Sequence, residues 1–312
     1  MSESTTAAAI VVSLILMCPQ AHKYGTRRLC VQDTASLCLF AQNRLTGICL
    51  SIGYTGTCAV AVINGKIVRE SLQEVRIGGS TLTQFFMQLV QQRGQDVNWQ
   101  RVSAISSMRG KALITMVRDA KEKICYVRGK DDPTSEDSAR QVDLEIDGTG
   151  ERLTMGAECW LCPEILFDPS VVGRGGASVQ EAVIRAALTA TPDTQVIWTL
   201  LQNVVLTGGS ARFPGMAARL TEELSAILHQ KPGGLENPNE HKVHVSPPLD
   251  DSYGPFHGGC NCLRMANHIT NSSFDCRCSL CFARVFPGSC MQVARGVGPG
   301  RYRLECTRPK VS

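Results

Sequence analysis

The sequence of 312 residues predicts an α/β fold, on three observations. Residues 48–52 and 58–63 are β-rich apolar runs on either side of Gly53-Tyr54-Thr55-Gly56, and Asn64-Gly65 supplies a tight-turn dipeptide after them. Gly78-Gly79 breaks the chain before Ser80, a residue suited to cap a helix over residues 81–92, and a charged helical region follows over residues 108–127. Residues 203–207 then read as a buried strand that runs through Gly208-Gly209-Ser210 to Pro214, where a helix reaching Leu228 opens.

Taken in order, the remaining elements fit between these. The apolar stretch over residues 7–18 is shorter than the roughly 20 residues a membrane helix needs, and it lacks the basic leader of a signal peptide. A buried strand over residues 10–17 is expected instead, with the thiols reduced in cytosol or nucleus. Leu29, Leu37, Phe40 and Ala41 space a helix over residues 27–42 that ends near Asn43. A third strand of the meander is expected over residues 66–72. Residues 129–150 read as a polar surface loop with one strand, Pro163 and Pro169 bracket a further loop, and the turn at residues 173–176 leads into a helix over residues 179–188.

With 43% hydrophobic residues the chain can fill one large core or two modest ones. Lysine and arginine number 32 against 28 acidic residues, and the net charge of +4 is spread along the chain, so neither nucleic acid nor membrane is the expected partner. Of the 15 cysteines, those from Cys18 to Cys162 read as small buried hydrophobes. The rest crowd into the C-terminal stretch as Cys260-x-Cys262, Cys276-x-Cys278-x-x-Cys281, Cys290 and Cys306, with His257 and His268 nearby. Only the step from Cys278 to Cys281 has the spacing of a zinc knuckle, so zinc is not expected. Around residues 293–300 Gly, Pro and Arg dominate, and residues 263–312 are expected to form a disordered tail.

A strand, a glycine pair and a helix start in succession let backbone approach a phosphate or ribose. Taken alone the arrangement equally suits a tight turn. Several collinear segments add to it. Residues 204–216, reading Val-Val-Leu-Thr-Gly-Gly-Ser-Ala-Arg-Phe-Pro-Gly-Met, resemble the strand, glycine pair and Phe-Pro-Gly helix start of actins. Residues 118–127, with Lys121-Glu122-Lys123-Ile124-Cys125-Tyr126-Val127, resemble a second signature of that family. Glu151-Arg152-Leu153, then Pro163-Glu164-Ile165-Leu166-Phe167-Asp168-Pro169-Ser170, resemble a third. Residues 35–41 and 44–48 are similar to the helix and turn that lead into the family's second phosphate loop, and Pro247-Pro248 with Gly258-Gly259 to a segment near its end.

The resemblance to the actin and actin-related protein family implies an actin-like ATPase fold of two ribonuclease-H-like halves with nucleotide between them. It places a mostly missing first half-domain in residues 1–45, and a largely complete second one in residues 46–262 with an inserted subdomain at about residues 76–177. It further implies that Gly208 and Gly209 pass close to ribose and phosphates, that Lys121 and Glu122 meet the adenine and ribose, and that Arg118, Gly79 and Gly53 line the same site. Charge pattern alone would make Arg118, Lys121 and Glu122 a solvated helix face. A β-branched residue at Gly209 is expected to block close approach of a ligand, with added strain if that glycine sits at positive φ.

Departures from the family pattern fall on the catalytic side. No Asp-x-Gly-[ST]-Gly turn occurs in residues 1–24, and the second phosphate loop, Asp-x-Gly-x-Gly in the family, reads Ser51-Ile52-Gly53-Tyr54-Thr55. Cys58 stands at a family histidine, Thr34 at a water-orienting glutamine and Ser252 at a lysine that contacts the base. A serine hydroxyl does not anchor a hard divalent ion as a carboxylate does. No catalytic or metal-ligating residue is therefore assigned. The expectation is a non-catalytic component of a cytoskeletal or nuclear, chromatin-type assembly, in the cytoplasm or the nucleus, with actin or actin-related subunits as partners. ATP or ADP, with Mg²⁺, would bind weakly at most. The alternatives are a filament-forming ATPase of the same family and a sugar-kinase or chaperone relative, the latter wanting two Asp-x-Gly-x-[ST] loops.

Overall fold

The computed structural model describes residues 28–93, 113–129, 142–145, 152–173, 176–230, 242–248, 279–284, 291–298 and 301–307. Contacts divide the chain into two units, residues 46–252 and residues 1–45 with 253–312. The expected strand over residues 10–17, Ser252, the paired glycines at 258–259 and most of the clustered cysteines lie outside the described residues.

The larger unit is built on a six-stranded sheet. Its centre is β2 (Gly47–Ile52), which pairs antiparallel with β3 (Thr57–Ile63) and parallel with β8 (Val204–Thr207). Beyond β8 runs the short parallel β9 (Val245–Ser246), while β4 (Lys66–Ile67) and β5 (Gln73–Val75) both pair with β3. The β3–β4 turn is Asn64-Gly65 with φ of 51° and 77°, the double positive φ that this dipeptide favours. The expected third strand is broken. It pairs over two residues, gives way to a 3-10 turn at Arg69–Ser71, and resumes as β5. The Ser71 hydroxyl explains the break: it accepts from the Ala61 N–H at 2.9 Å and donates to the Val68 carbonyl at 2.6 Å, taking a partner strand's place beside β3.

Alternation along the strands sends Ile48, Leu50 and Ile52 to one face with Ala59, Ala61, Val204, Leu206 and Val245, and these enter the main core. Against that core lie α2 (Gly79–Arg93), α3 (Leu113–Ile124), α4 (Glu158–Glu164), α5 (Val179–Ala190), α6 (Thr194–Leu201) and α7 (Met216–Gln230). Each helix buries a stripe at helical spacing, such as Leu82, Phe86 and Val90 on α2 and Met216, Leu220, Leu224 and Leu228 on α7. Starts are set by side chains where these are available: the Ser178 hydroxyl accepts from Glu181 N–H ahead of α5, and the Asp193 carboxylate from Gln195 N–H ahead of α6. A separate hairpin, β6 (Val142–Glu145) with β7 (Arg152–Met155), supplies the strand expected between residues 129 and 150.

Three expectations need correction here. The loop expected between Pro163 and Pro169 is present but starts later, at Ile165, because residues up to Glu164 belong to α4, whose Cys159 and Cys162 are fully buried. Pro163 sits near the C-terminal end of that short helix, where its missing N–H removes an i→i−4 hydrogen bond and the helix stops one residue later. In the smaller unit, residues 28–33 form β1 (Arg28–Asp33) and only Thr34–Ala41 form a helix, α1. There β1 pairs in parallel with β10 (Ser279–Arg284), followed antiparallel by β11 (Met291–Gly298) and β12 (Arg301–Thr307). The stretch read as a disordered tail thus contains three strands. Its composition hid a period-2 pattern, in which Tyr302, Leu304 and Cys306 alternate with Arg301, Arg303, Glu305 and Thr307.

One polar node ties the helices together. Arg219 of α7, 9% exposed, bonds Glu164 of α4 at 3.0 Å, Glu223 at 2.9 Å and the Arg128 carbonyl at 3.0 Å, and lies over the Phe167 ring. Arg128 itself stacks at 3.8 Å on Trp160. Removing one partner of such a pair strands the other charge. Arg219→Ala is expected to destabilise the fold by about 3 to 5 kcal/mol, read as a fall in urea midpoint with unchanged slope.

Candidate functional site

Three backbone turns and one lysine meet at the end of the sheet. The β2–β3 hairpin closes with Gly53 N–H on the Gly56 carbonyl at 2.9 Å. The first residues of α2 then donate into that turn, Gly79 N–H to the Gly53 carbonyl and Ser80 N–H to the Tyr54 carbonyl, both at 2.8 Å. Ser80 is therefore not the cap of α2. The helix starts at Gly79, two residues before the expected start at residue 81, because the hairpin's carbonyls satisfy the N–H groups that a capping side chain would otherwise serve. This close approach requires Gly78: a Cβ there would fall 2.5 Å from the Gly56 nitrogen.

The third turn follows β8. Gly208 has φ 95° and ψ 160°, a region open essentially to glycine alone, and a Cβ on it would lie 2.3 Å from the Ile52 carbonyl oxygen. Gly209 is different. Its backbone stays outside the left-handed region, and a Cβ on it meets nothing within 4 Å. The strain that a β-branched residue was expected to add at Gly209 belongs to its neighbour. Instead of running straight into the helix, the pair opens a 3-10 turn, Gly209–Arg212, and α7 begins at Met216 beyond Gly215.

Gly53, Gly79, Gly208 and Lys121 are brought together. A Cβ on Gly79 would stand 3.1 Å from the Ser210 hydroxyl and 3.5 Å from Tyr54 Cα, which joins all three turns. The Lys121 ammonium reaches the Gly79 carbonyl at 3.5 Å and lies 5.8 Å from the centre of the Phe213 ring. At 2% exposure Lys121 is no part of a solvated face. Burial lowers its pKa from the ordinary lysine value, against the opposing pull of Cys162, Glu122 and Cys125. Its two companions on α3 stay outside: Glu122 is exposed, and Arg118, with its side chain 43% exposed, pairs with Asp119 at 3.2 Å. The charge pattern could not separate them, since only the helix's rotation against α2 decides which side chain turns inward.

On the face of the sheet opposite the core, Thr207, Ser51, Cys58 and Glu74 lie in one cross-strand row. Glu74, on the edge strand and exposed, is the sole carboxylate of that row. Tyr54, 64% exposed, projects from the hairpin turn beside it. Among the described residues no group of three or more His, Cys, Asp or Glu is placed to hold a metal ion. Sequence reasoning missed Ser210 and Phe213 as neighbours of Gly79 and Lys121, although both stand in the strand, glycine pair and Phe-Pro-Gly run it singled out.

Two substitutions separate architecture from site. Gly208→Ala should lower stability by more than the about 1 to 3 kcal/mol of backbone strain, because the clash with Ile52 adds to it, whereas Gly209→Ala should leave the urea midpoint close to wild type. Lys121 carries a pH signature. Its folded pKa lies below its unfolded one, so the unfolded chain binds the extra proton between the two values and this residue's unfavourable contribution fades as pH rises through that window toward about 10.4. Lys121→Met should therefore stabilise most at neutral pH and progressively less at alkaline pH, measured by urea unfolding across that range.

Comparison with known proteins places this geometry. The sequence model of the Actin family matches residues 21–268. The chain is 29% identical over 215 residues to centractin of Schizosaccharomyces pombe, covering 68% of this chain and 51% of that protein. It is 28% identical over 230 residues to Actin-related protein 2 of Arabidopsis thaliana, covering 69% and 54%. To Actin-related protein 8 of Oryza sativa subsp. japonica it is 32% identical over 205 residues, covering 64% and 38%. The chain thus spans about half the length, or less, of these curated relatives. With most of the chain matched by the family's sequence model and a mixed sheet joined to helices in the order the motifs predict, this chain belongs to the actin family and has its α/β fold.

Proposed function

We propose that this chain is a non-catalytic actin-related protein, a structural and binding component of a cytoskeletal or nuclear protein assembly, with at most weak, adenosine-directed binding of ATP or ADP. The observation that carries the reading is the cross-strand row of Thr207, Ser51 and Cys58 beside Tyr54. By resemblance, Ser51 and Tyr54 occupy the acidic positions of the second phosphate loop and Cys58 the position of a histidine. At those three positions hydroxyl and thiol groups give a hard divalent ion no anionic ligand and an attacking water no general base, and the one carboxylate of the row, Glu74, stands on the edge strand beyond Cys58. Phosphoryl transfer rests on metal and positioning, so the same substitutions argue against turnover.

The adenosine side supports the weaker activity. Gly209 leaves open space at a turn, Lys121 brings a buried ammonium to the same junction, and Glu122 offers an exposed carboxylate on the next residue. Protein partners follow from family membership, and the similarity to centractin and to Actin-related proteins 2 and 8 supports actin or actin-related subunits among them. Cytoplasm and nucleus are the compartments this reading allows.

The purified chain is expected to hydrolyse ATP no faster than buffer, with or without Mg²⁺. Turnover that needs Mg²⁺ and survives Ser51→Ala would overturn the assignment in favour of a filament-forming ATPase. In calorimetric titrations ATP and adenosine should bind with similar, weak affinity, and Gly209→Val should abolish both while circular dichroism shows the fold intact. Equal binding by wild type and Gly209→Val, or a clear need for the γ-phosphate, would remove this site from the reading.

A further inference from the structure

The charge pattern of β12 has a symmetry that the fold of one chain does not use. Among the described residues β12 pairs with β11 alone, so the four-stranded sheet of the smaller unit ends on a seven-residue strand with an open outer edge. Such an edge offers a row of N–H and C=O groups to another strand. By the period of two, Tyr302, Leu304 and Cys306 occupy one face of β12, and Arg301, Arg303, Glu305 and Thr307 the other. About Leu304 the charges are of opposite sign, with Arg303 before it and Glu305 after it.

Within the chain neither charge has an opposite charge directly across from it. Arg303 stands opposite Arg295 of β11, Arg295 opposite Leu280 of β10, and Leu280 opposite Leu29 of β1. That row holds two arginines and no carboxylate, and like charges directly opposite each other disfavour a strand pair. Glu305 stands opposite Val293. The row through Arg303 can continue only across the outer edge of β12.

We propose that β12 pairs antiparallel with β12 of a second copy of this chain, centred on Leu304, so that the two four-stranded sheets become one continuous sheet across a twofold axis. In this register Leu304 stands opposite Leu304 of the second copy, Arg303 opposite Glu305, Tyr302 opposite Cys306 and Arg301 opposite Thr307, and the whole strand is paired. Arg303 and Glu305 meet twice, once on each side of the axis. Each pair of arginines at Arg295 and Arg303 gains a carboxylate as the next position in its row, and the second copy thereby completes it.

The antiparallel ladder restricts the choice of register. Each residue directs its N–H and C=O to one edge and the next residue directs them to the other, so β12, already paired with β11, offers every second residue outward. Two copies can then meet only with a residue on the axis. Moving the axis to Arg303 sets that arginine opposite itself, moving it to Glu305 sets carboxylate opposite carboxylate, and either shift shortens the overlap within β12. Leu304 gives the full overlap and opposite charges together. A single strand pair lies below the area of a permanent interface, so the association is expected to be weak and concentration-dependent.

Sedimentation equilibrium of the full-length chain, across the micromolar range under reducing conditions, tests the pairing. A monomer–dimer equilibrium is expected. Glu305→Arg and Arg303→Glu should each weaken it about tenfold or more, since two like-charge pairs replace two opposite ones. An equimolar mixture of these two variants should associate again, because the basic strand of one faces the acidic strand of the other. The double exchange Arg303→Glu with Glu305→Arg should also restore the dimer, and recovery by either route shows that the single variants are folded. A wild-type chain that stays monomeric throughout the range would overturn the proposal. So would a dimer indifferent to both single exchanges, which would put the contact on another surface, and a loss that neither mixing nor the double exchange reverses.

Discussion

The structure of the larger unit depends on one contact, the docking of the first residues of α2 into the β2–β3 hairpin turn. A helix start carries N–H groups with no partner inside the helix, and a tight hairpin presents carbonyls that have left the sheet. Here each answers the other, through Gly79 with Gly53 and Ser80 with Tyr54. The bonds are short only because Gly78 lets the two backbones touch. From that point the direction of α2 is fixed, and with it the face that Leu82, Phe86 and Val90 turn toward the core. Both α3 and α4 pack on α2, so the placement of Lys121 and Cys162 follows from the same contact.

Energetically the junction belongs to a different class from the node around Arg219. The junction is backbone to backbone and almost free of side chains, so substitutions act on it through sterics. The Arg219 node is made of charges held near the surface of the core, where truncation leaves Glu164 and Glu223 facing each other without their shared counter-ion. Arg128 on Trp160 extends that node toward α4. The node thus holds α4 at Trp160 and Glu164, although the helix is short and contains a proline.

Much of this was legible in the residues. Asn64-Gly65 announced its turn because only a double positive φ suits a two-residue hairpin, and both residues tolerate it. The Gly208-Gly209 pair and the strand before it were equally plain. Other features depended on contacts that no local pattern records. The hydroxyl of Ser71 interrupts a strand that composition alone would continue. The segment before Thr34 carries apolar residues compatible with either period, and its pairing with β10, some 250 residues away on the order of chain numbering, decides for strand. Lys121, Glu122 and Arg118 look alike in sequence, yet one is buried and two are not. The Cys-x-x-Cys step at Cys159 was hidden among thiols read singly as small hydrophobes, and burial does place both of its cysteines in the core.

Resemblance to a nucleotide-binding family invites the view that every retained glycine is retained for a ligand. The contacts argue otherwise. Gly78 and Gly208 are demanded by the fold, since a Cβ on either would collide with backbone of the hairpin or of β2 whether or not anything occupies the site. Their presence is therefore no evidence for a ligand. Two features have no such architectural account. Gly209 has room for a side chain and a backbone that would accept one, and Lys121 buries a cation whose recorded acceptor lies 3.5 Å away at Gly79. An apolar residue of similar length would fill that space without the desolvation cost of the ammonium. The case for a bound adenosine rests on these two positions, because they are where the fold alone does not explain the sequence.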